Sequence, residues 1–99
     1  MTLQQLKYVV TVARTGSMSE ASKELFISQP GLTTSIRELE TEMGIKIFTR
    51  TNKGVVTSNE GERFLGYARQ VLEQASLLEG VYKSGTCLLY TSPSPRDRT

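Results

Sequence analysis

Ser17-Met18-Ser19-Glu20-Ala21-Ser22-Lys23-Glu24-Leu25-Phe26-Ile27-Ser28-Gln29-Pro30-Gly31-Leu32-Thr33-Thr34-Ser35-Ile36-Arg37 holds two helix starts separated by a break. Ser17 followed by Glu20 is a capping box: the hydroxyl accepts from an early backbone N–H while the acid reaches back to the cap. The helix it opens turns Ala21 and Leu25 inward and stops near Phe26-Ile27. Two turns are too few to stand alone, so this helix must pack on something. Ser28 caps the second start, with Gln29 and Pro30 in the first turn, where proline is harmless because early N–H groups lack intrahelical partners. Leu32, Ile36, Leu39 and Met43 then recur at spacings of four, three and four, the apolar stripe of a longer helix that Gly44 closes. Gly31 costs that helix about 1 kcal/mol against alanine, which a close approach to another surface would excuse.

Upstream, Thr2 with Gln5 forms another capping box, and Leu3, Leu6, Val10 and Ala13 repeat as one helical face until Gly16 ends the helix. Downstream the texture changes. Ile47-Phe48-Thr49-Arg50 and Val55-Val56-Thr57 are β-prone runs separated by Thr51-Asn52-Lys53-Gly54, whose Asn and Gly supply hairpin turn chemistry. Thr57 with Glu60 reads as a third capping box opening a long helix. Its apolar positions Phe64, Ala68, Val71, Ala75, Leu78 and Tyr82 form a heptad seam, weakened locally by Gly61 and Gly66. A second helix from another subunit is its expected partner.

The 99 residues bound the chain to one small domain with or without an appendage. At 37% hydrophobic and 22% charged, the composition is that of a globular chain, neither disordered nor fibrous. There is no histidine and one cysteine, which excludes a Cys/His zinc site, a disulfide framework and any Ser-His or Cys-His catalytic pair. No nucleophile–base pair presents itself, so no catalytic residue, metal or cofactor is expected, and no enzyme. No long apolar run suits a membrane span, and Met1-Thr2-Leu3-Gln4-Gln5 lacks a signal-peptide layout, so a cytoplasmic protein is expected. The net charge of +2 decides little, but its distribution is uneven. Lys46, Arg50 and Lys53 fall in a stretch from Met43 to Asn59 without an acid, just after Glu38, Glu40 and Glu42. Such a stretch suits a phosphate-facing patch.

Two helices joined at Phe26-Ile27, the second opening with small polar residues, make a helix-turn-helix, and the following hairpin makes it winged. In that arrangement the third helix lies in the DNA major groove with its N-terminal residues at base edges. Ser28, Gln29, Pro30, Thr33 and Thr34 are short or hydrogen-bonding, as this requires. Glutamine can pair twice with adenine, and a threonine methyl can meet that of thymine. Arg37, one turn on, is placed for a phosphate. The alternative is a winged-helix protein-interaction or dimerisation module that binds no DNA. Its mark would be apolar residues at the third helix's exposed start, and polar Gln29, Thr33 and Thr34 speak against it.

The series Gly16–Leu25, Ile27–Thr33, Ile36–Glu40, Gly44–Arg50 and Val56-Thr57 with Gly61 resembles the N-terminal domain of LysR-type transcriptional regulators over about residues 3 to 85. Departures are mild: Met18 stands where the family usually has phenylalanine, Ser22 where alanine is usual, and Gly31 at a small-residue position. The resemblance implies a mainly α fold: a winged helix-turn-helix of three helices and a short β-hairpin wing, followed by a long linker helix that dimerises. The winged domain is expected over 1–58, with the helix-turn-helix at about 18–37, and the linker over 59–86. Gln29, Pro30 and Thr33 would touch bases. Thr34 and Arg37 would sit on or beside the backbone, and Arg50, Thr51, Asn52 and Lys53 would approach phosphates and the minor groove. Ser17 and Ser19 would offer helix-start N–H groups to a phosphate. Implied partners are double-stranded DNA with a partly palindromic operator and a second copy of the chain, as a homodimer or higher assembly. The small-molecule effector is expected only in a two-lobed C-terminal domain outside this fragment. Residues 87–99 read differently: Thr91–Thr99 has two prolines and no periodicity. Cys87–Asp97 resembles a translated sequencing adapter, so a non-native, disordered tail is expected there.

Overall fold

A computed structural model of the chain describes residues 1–82; the expectations for 83–86 at the end of the linker and for the tail over 87–99 lie outside the described residues. Four helices and one hairpin follow in the order α1 (Leu3–Thr15), α2 (Met18–Leu25), α3 (Gln29–Met43), β1 (Phe48–Thr51), β2 (Gly54–Thr57) and α4 (Asn59–Tyr82). The chain divides into two compact units, Met1–Arg69 and a second that begins at Gln70.

Local chemistry sets the helix ends. Thr2 and Gln5 form the full capping box, Gln5 N donating to Thr2 Oγ1 and Thr2 N to Gln5 Oε1, both at 3.0 Å. Ser17 Oγ accepts from Glu20 N at 3.2 Å and Ser28 Oγ from Gly31 N at 3.1 Å. Gly16 and Gly44 end α1 and α3 in the left-handed conformation. Phe26 does the same for α2 with φ 57°, although it carries a side chain and is 95% exposed. Asparagine or glycine would hold that conformation with less strain. The third cap is corrected by one residue: α4 starts at Asn59, and Ser58 rather than Thr57 accepts from the helix, through Gly61 N at 2.9 Å. Ser58 O–H also donates to the Lys46 carbonyl, so one side chain closes both ends of the hairpin segment.

The first unit is built around Leu6, Val9 and Val12 of α1, Met18 and Ala21 of α2, Leu32, Ile36 and Leu39 of α3, with Ile47, Phe48 and Leu65. Each fully buried aliphatic contributes about 1.5–3 kcal/mol relative to exposure, which is what holds the short α2 in place. The α1 stripe differs from its expectation. Val9 and Val12 are buried, Val10 and Ala13 are half-buried against the core, and Leu3 in the first turn is exposed. Met43, at the end of α3, is likewise exposed rather than core. Ser22 is buried, but its hydroxyl donates to Ser19 O at 2.8 Å, so a serine is tolerated at an alanine-like position. The close approach expected at Gly31 is to its own cap: a methyl there would lie 2.9 Å from Ser28 Oγ and 3.4 Å from Ile27 Cγ1.

The strands pair antiparallel in the register Phe48↔Thr57, Thr49↔Val56, Arg50↔Val55 and Thr51↔Gly54, leaving Asn52 and Lys53 as the turn. Thr51 Oγ1 accepts from Lys53 N at 3.3 Å and donates to Gly54 O at 3.1 Å, which fixes that turn. Val55 N donates to Gly16 O at 3.1 Å, tying β2 to the α1–α2 junction.

Candidate nucleic-acid interface

The first two turns of α3 present Gln29, Pro30 and Thr34 to solvent, with Thr33 half-buried. Together with Arg37 they line one shallow depression along the helix. Ser28 is exposed too, but its hydroxyl is engaged at the cap. The core residues of α3 lie on the opposite stripe, so the helix must show this polar face outward. Ser19 is exposed and Ser17 half-buried at the start of α2, where the Ser17 hydroxyl already serves Glu20 N.

In the hairpin, Arg50, Thr51, Asn52 and Lys53 are all exposed. The Thr51 hydroxyl is spent on the turn, whereas the cations are not spent. The lysine and arginine ion pairs among the described residues are Arg14–Glu24, Lys23–Glu20 and Arg63–Glu60. Arg37, Lys46, Arg50 and Lys53 take no part in any of them. Exposed cations without carboxylate partners on α3, on the connection after it and on the hairpin form a surface suited to anions.

Between α3 and the hairpin lies a cleft of about 380 Å³, lined by the apolar Met18, Ile36, Phe48 and Val55 together with Thr33, Arg37, Glu40, Lys46, Thr49 and Arg50. Glu40 is a residue that sequence reasoning missed, since it counted only as one of three acids before the basic stretch. Its Oε2 accepts from Ile47 N at 2.8 Å and from Phe48 N at 3.2 Å. A carboxylate thus satisfies two backbone donors at the entry to β1 and holds the connection that carries Lys46. No local motif encodes this; the bonds span seven and eight residues.

The residues expected in the α4 seam do not share one environment. In the first unit Ala68 is buried and Phe64 is half-buried against the core, and Leu65, absent from the seam, is 1% exposed. In the second unit Ala75 is half-buried, while Val71, Leu78 and Tyr82 are exposed, the last two at 60% and 74%. Leu77 and Val81 are exposed beside them. Among the described residues no group of His, Cys, Asp and Glu could hold a metal ion, and no helix is long and apolar enough to cross a membrane.

The family model for the bacterial regulatory helix-turn-helix protein, lysR family, matches residues 3–62. Over 72 residues, 73% of this chain and 32% of the relative, the sequence is 46% identical to the HTH-type transcriptional regulator TfdT of Cupriavidus pinatubonensis. Over 75 residues, 76% of this chain and 26% of the relative, it is 39% identical to the HTH-type transcriptional regulator TcbR of Pseudomonas sp. strain P51. The chain therefore spans between about a quarter and a third of the length of these curated relatives. Among solved structures, the DNA-binding domain of CbnR in complex with DNA superimposes with a TM-score of 0.79 at 33% identity, covering 88% of this chain and all of that one. The DNA-binding domain of BenM on its benA site gives 0.79 at 35% identity, covering 84% of this chain and 93% of that one. Family model, relatives and superposition agree: this chain belongs to the lysR family of bacterial regulatory helix-turn-helix proteins and has their winged-helix fold.

Proposed function

We propose that this chain is the DNA-binding portion of a transcriptional regulator, with α3 in the major groove and the hairpin on the phosphate backbone. The carrying observation is the joint display of exposed Gln29, Pro30 and Thr34 with the unpaired cations Arg37, Arg50 and Lys53. Its likeness to the DNA-bound domains of CbnR and BenM supports the same reading. In this arrangement Gln29, Pro30 and Thr33 read bases, and Thr34, Arg37, Arg50, Thr51, Asn52 and Lys53 meet the backbone and minor groove. Backbone N–H groups at Ser19 and Ser28 face phosphates; Ser17 does not, because its hydroxyl caps Glu20 N and its own N–H donates to Thr15 Oγ1 at 3.4 Å.

An anisotropy titration against duplexes selected from a random pool, and against random duplex, tests this reading. Affinity should fall as salt rises, because each neutralised phosphate releases counterions. Gln29→Ala should cost about 1–3 kcal/mol on the selected site and leave random DNA unaffected. Absence of salt-sensitive binding to either duplex refutes the proposal. Equal losses on both show that Gln29 is not a base reader.

The winged domain over 1–58 and the linker helix from 59 onward are proposed as the two working parts, the second assembling the protein. Val71, Leu78 and Tyr82 expose apolar surface worth roughly 25 cal/mol per Å² when covered, and a second copy is the proposed cover. Phe64 and Ala68 contribute to the first unit's own packing instead, which shortens the seam and makes for weak association. Sedimentation should show a concentration-dependent dimer that Val71→Glu with Leu78→Glu abolishes. A monomer at every concentration, or a dimer indifferent to both glutamates, sinks the seam.

A further inference from the structure

Three basic residues on three different segments line the same cleft: Arg37 in the third turn of α3, Lys46 in the α3–β1 connection, and Arg50 in β1. Each is exposed, and none has a carboxylate or other partner among the described residues. Lys46 belongs to the basic stretch suited to phosphate, but neither the helix face nor the hairpin tip includes it. The opposing charge is Glu40, but its Oε2 is already engaged by the Ile47 and Phe48 N–H groups. Three cations against one carboxylate leave the cleft a net charge of +2. Thr33 and Thr49 add hydroxyl groups at its border.

Guanidinium and ammonium groups lining one cleft offer donors to the several acceptor oxygens of a single phosphodiester. The cleft also lies between the helix proposed to read bases and the hairpin proposed to hold the backbone. The geometry points to a single-phosphate seat: Arg37, Lys46 and Arg50 together grip one backbone phosphate of the bound DNA, with Glu40 as the positioning residue that fixes the Lys46 connection. This inference rests on the DNA-binding reading and adds to it a shared ligand for residues on three segments. The seat locks the register of the helix to that of the hairpin, because one phosphate cannot satisfy both unless both are in place.

Counterion release separates one phosphate from three. Each neutralised phosphate contributes a slope of about −0.9 in log K against log salt. We expect Arg37→Ala, Lys46→Ala and Arg50→Ala to weaken binding of the 99-residue chain to selected duplex, and the triple variant to lose only about 0.9 of slope. Losses in affinity should also be strongly non-additive in double-mutant cycles, as for residues sharing one partner. A triple variant whose slope falls by about 2.7 would show three independent phosphates and overturn the seat. An unchanged slope in the triple variant overturns it as well, including the case where millimolar inorganic phosphate still shifts the amide resonances of the cleft, which would then hold a free anion and not DNA. Lys46→Arg should restore most of what Lys46→Ala loses. If instead the unsubstituted chain shows no salt-sensitive binding at all, it is the DNA-binding reading that fails.

Discussion

Gly61→Ala is expected to lower the unfolding free energy by about 2–3 kcal/mol, although alanine is the better helix former by about 1 kcal/mol. A methyl at Gly61 would lie 2.3 Å from the Ile47 carbonyl oxygen and 2.8 Å from Thr57 Cγ2. The side chain of Thr57 can turn aside, but the Ile47 peptide is held from both directions. Its N–H donates to Glu40 at 2.8 Å and its carbonyl accepts from Ser58 N at 2.9 Å. Relief therefore requires β1 or the start of α4 to move, and both carry core residues, Phe48 and Leu65. Gly66, five residues on in the same helix, provides the control. A methyl there meets nothing within 4 Å, so Gly66→Ala should stabilise by about 0.5–1 kcal/mol through helix propensity alone. Urea midpoints of the two variants should move in opposite directions. Were Gly61→Ala to gain stability as Gly66→Ala does, the contact between α4 and Ile47 would be too soft to matter.

That pair of glycines marks the boundary of what the sequence makes legible. Both read as local weaknesses in a helix, and only the neighbour across space distinguishes them. Helix starts were legible because capping acts within three residues: Thr2, Ser17 and Ser28 cap where expected. The fourth start fell one residue off because Thr57-Ser58 offers two hydroxyls in succession, and the choice between them is made by Lys46 O, twelve residues away. The α3 stripe was legible through Leu32, Ile36 and Leu39, whereas α1 buries a wider arc than a single row of apolar residues indicates. In α4 a heptad count cannot tell a seam from a core stripe: Ala68 serves the first unit while Leu78 remains exposed. The exposed start of α3 was readable from residue types alone. The gathering of Arg37, Lys46 and Arg50 at one cleft was not, since it depends on how the α3–β1 connection turns.

Glu40→Ala is expected to cost about 2–4 kcal/mol of stability, a large effect for a half-buried acid on a helix. Ordinary exposed glutamates in α3, such as Glu38, should cost within about 0.5 kcal/mol on the same substitution. The difference lies in the two N–H groups that Glu40 Oε2 accepts, those of Ile47 and Phe48, both of which lead into buried side chains. Alanine leaves both donors without their acceptor at a place where water reaches only partly. A charged acceptor also makes each bond stronger than a neutral one, so the loss exceeds that of an ordinary helix-surface contact. Glu40→Gln keeps a carbonyl oxygen at the same reach and should retain a good part of the stability, losing the charge-assisted share. Hydrogen exchange distinguishes this account from a general loosening of the fold. In Glu40→Ala the Ile47 and Phe48 amides should lose protection well before the amides of Val9 and Val12 in α1. If protection falls equally across α1 and β1, Glu40 supports the whole core. If Glu40→Ala is neutral, the two N–H groups find water, and the entry to the hairpin is held instead by Ser58, whose N–H and hydroxyl both engage carbonyls of the same connection.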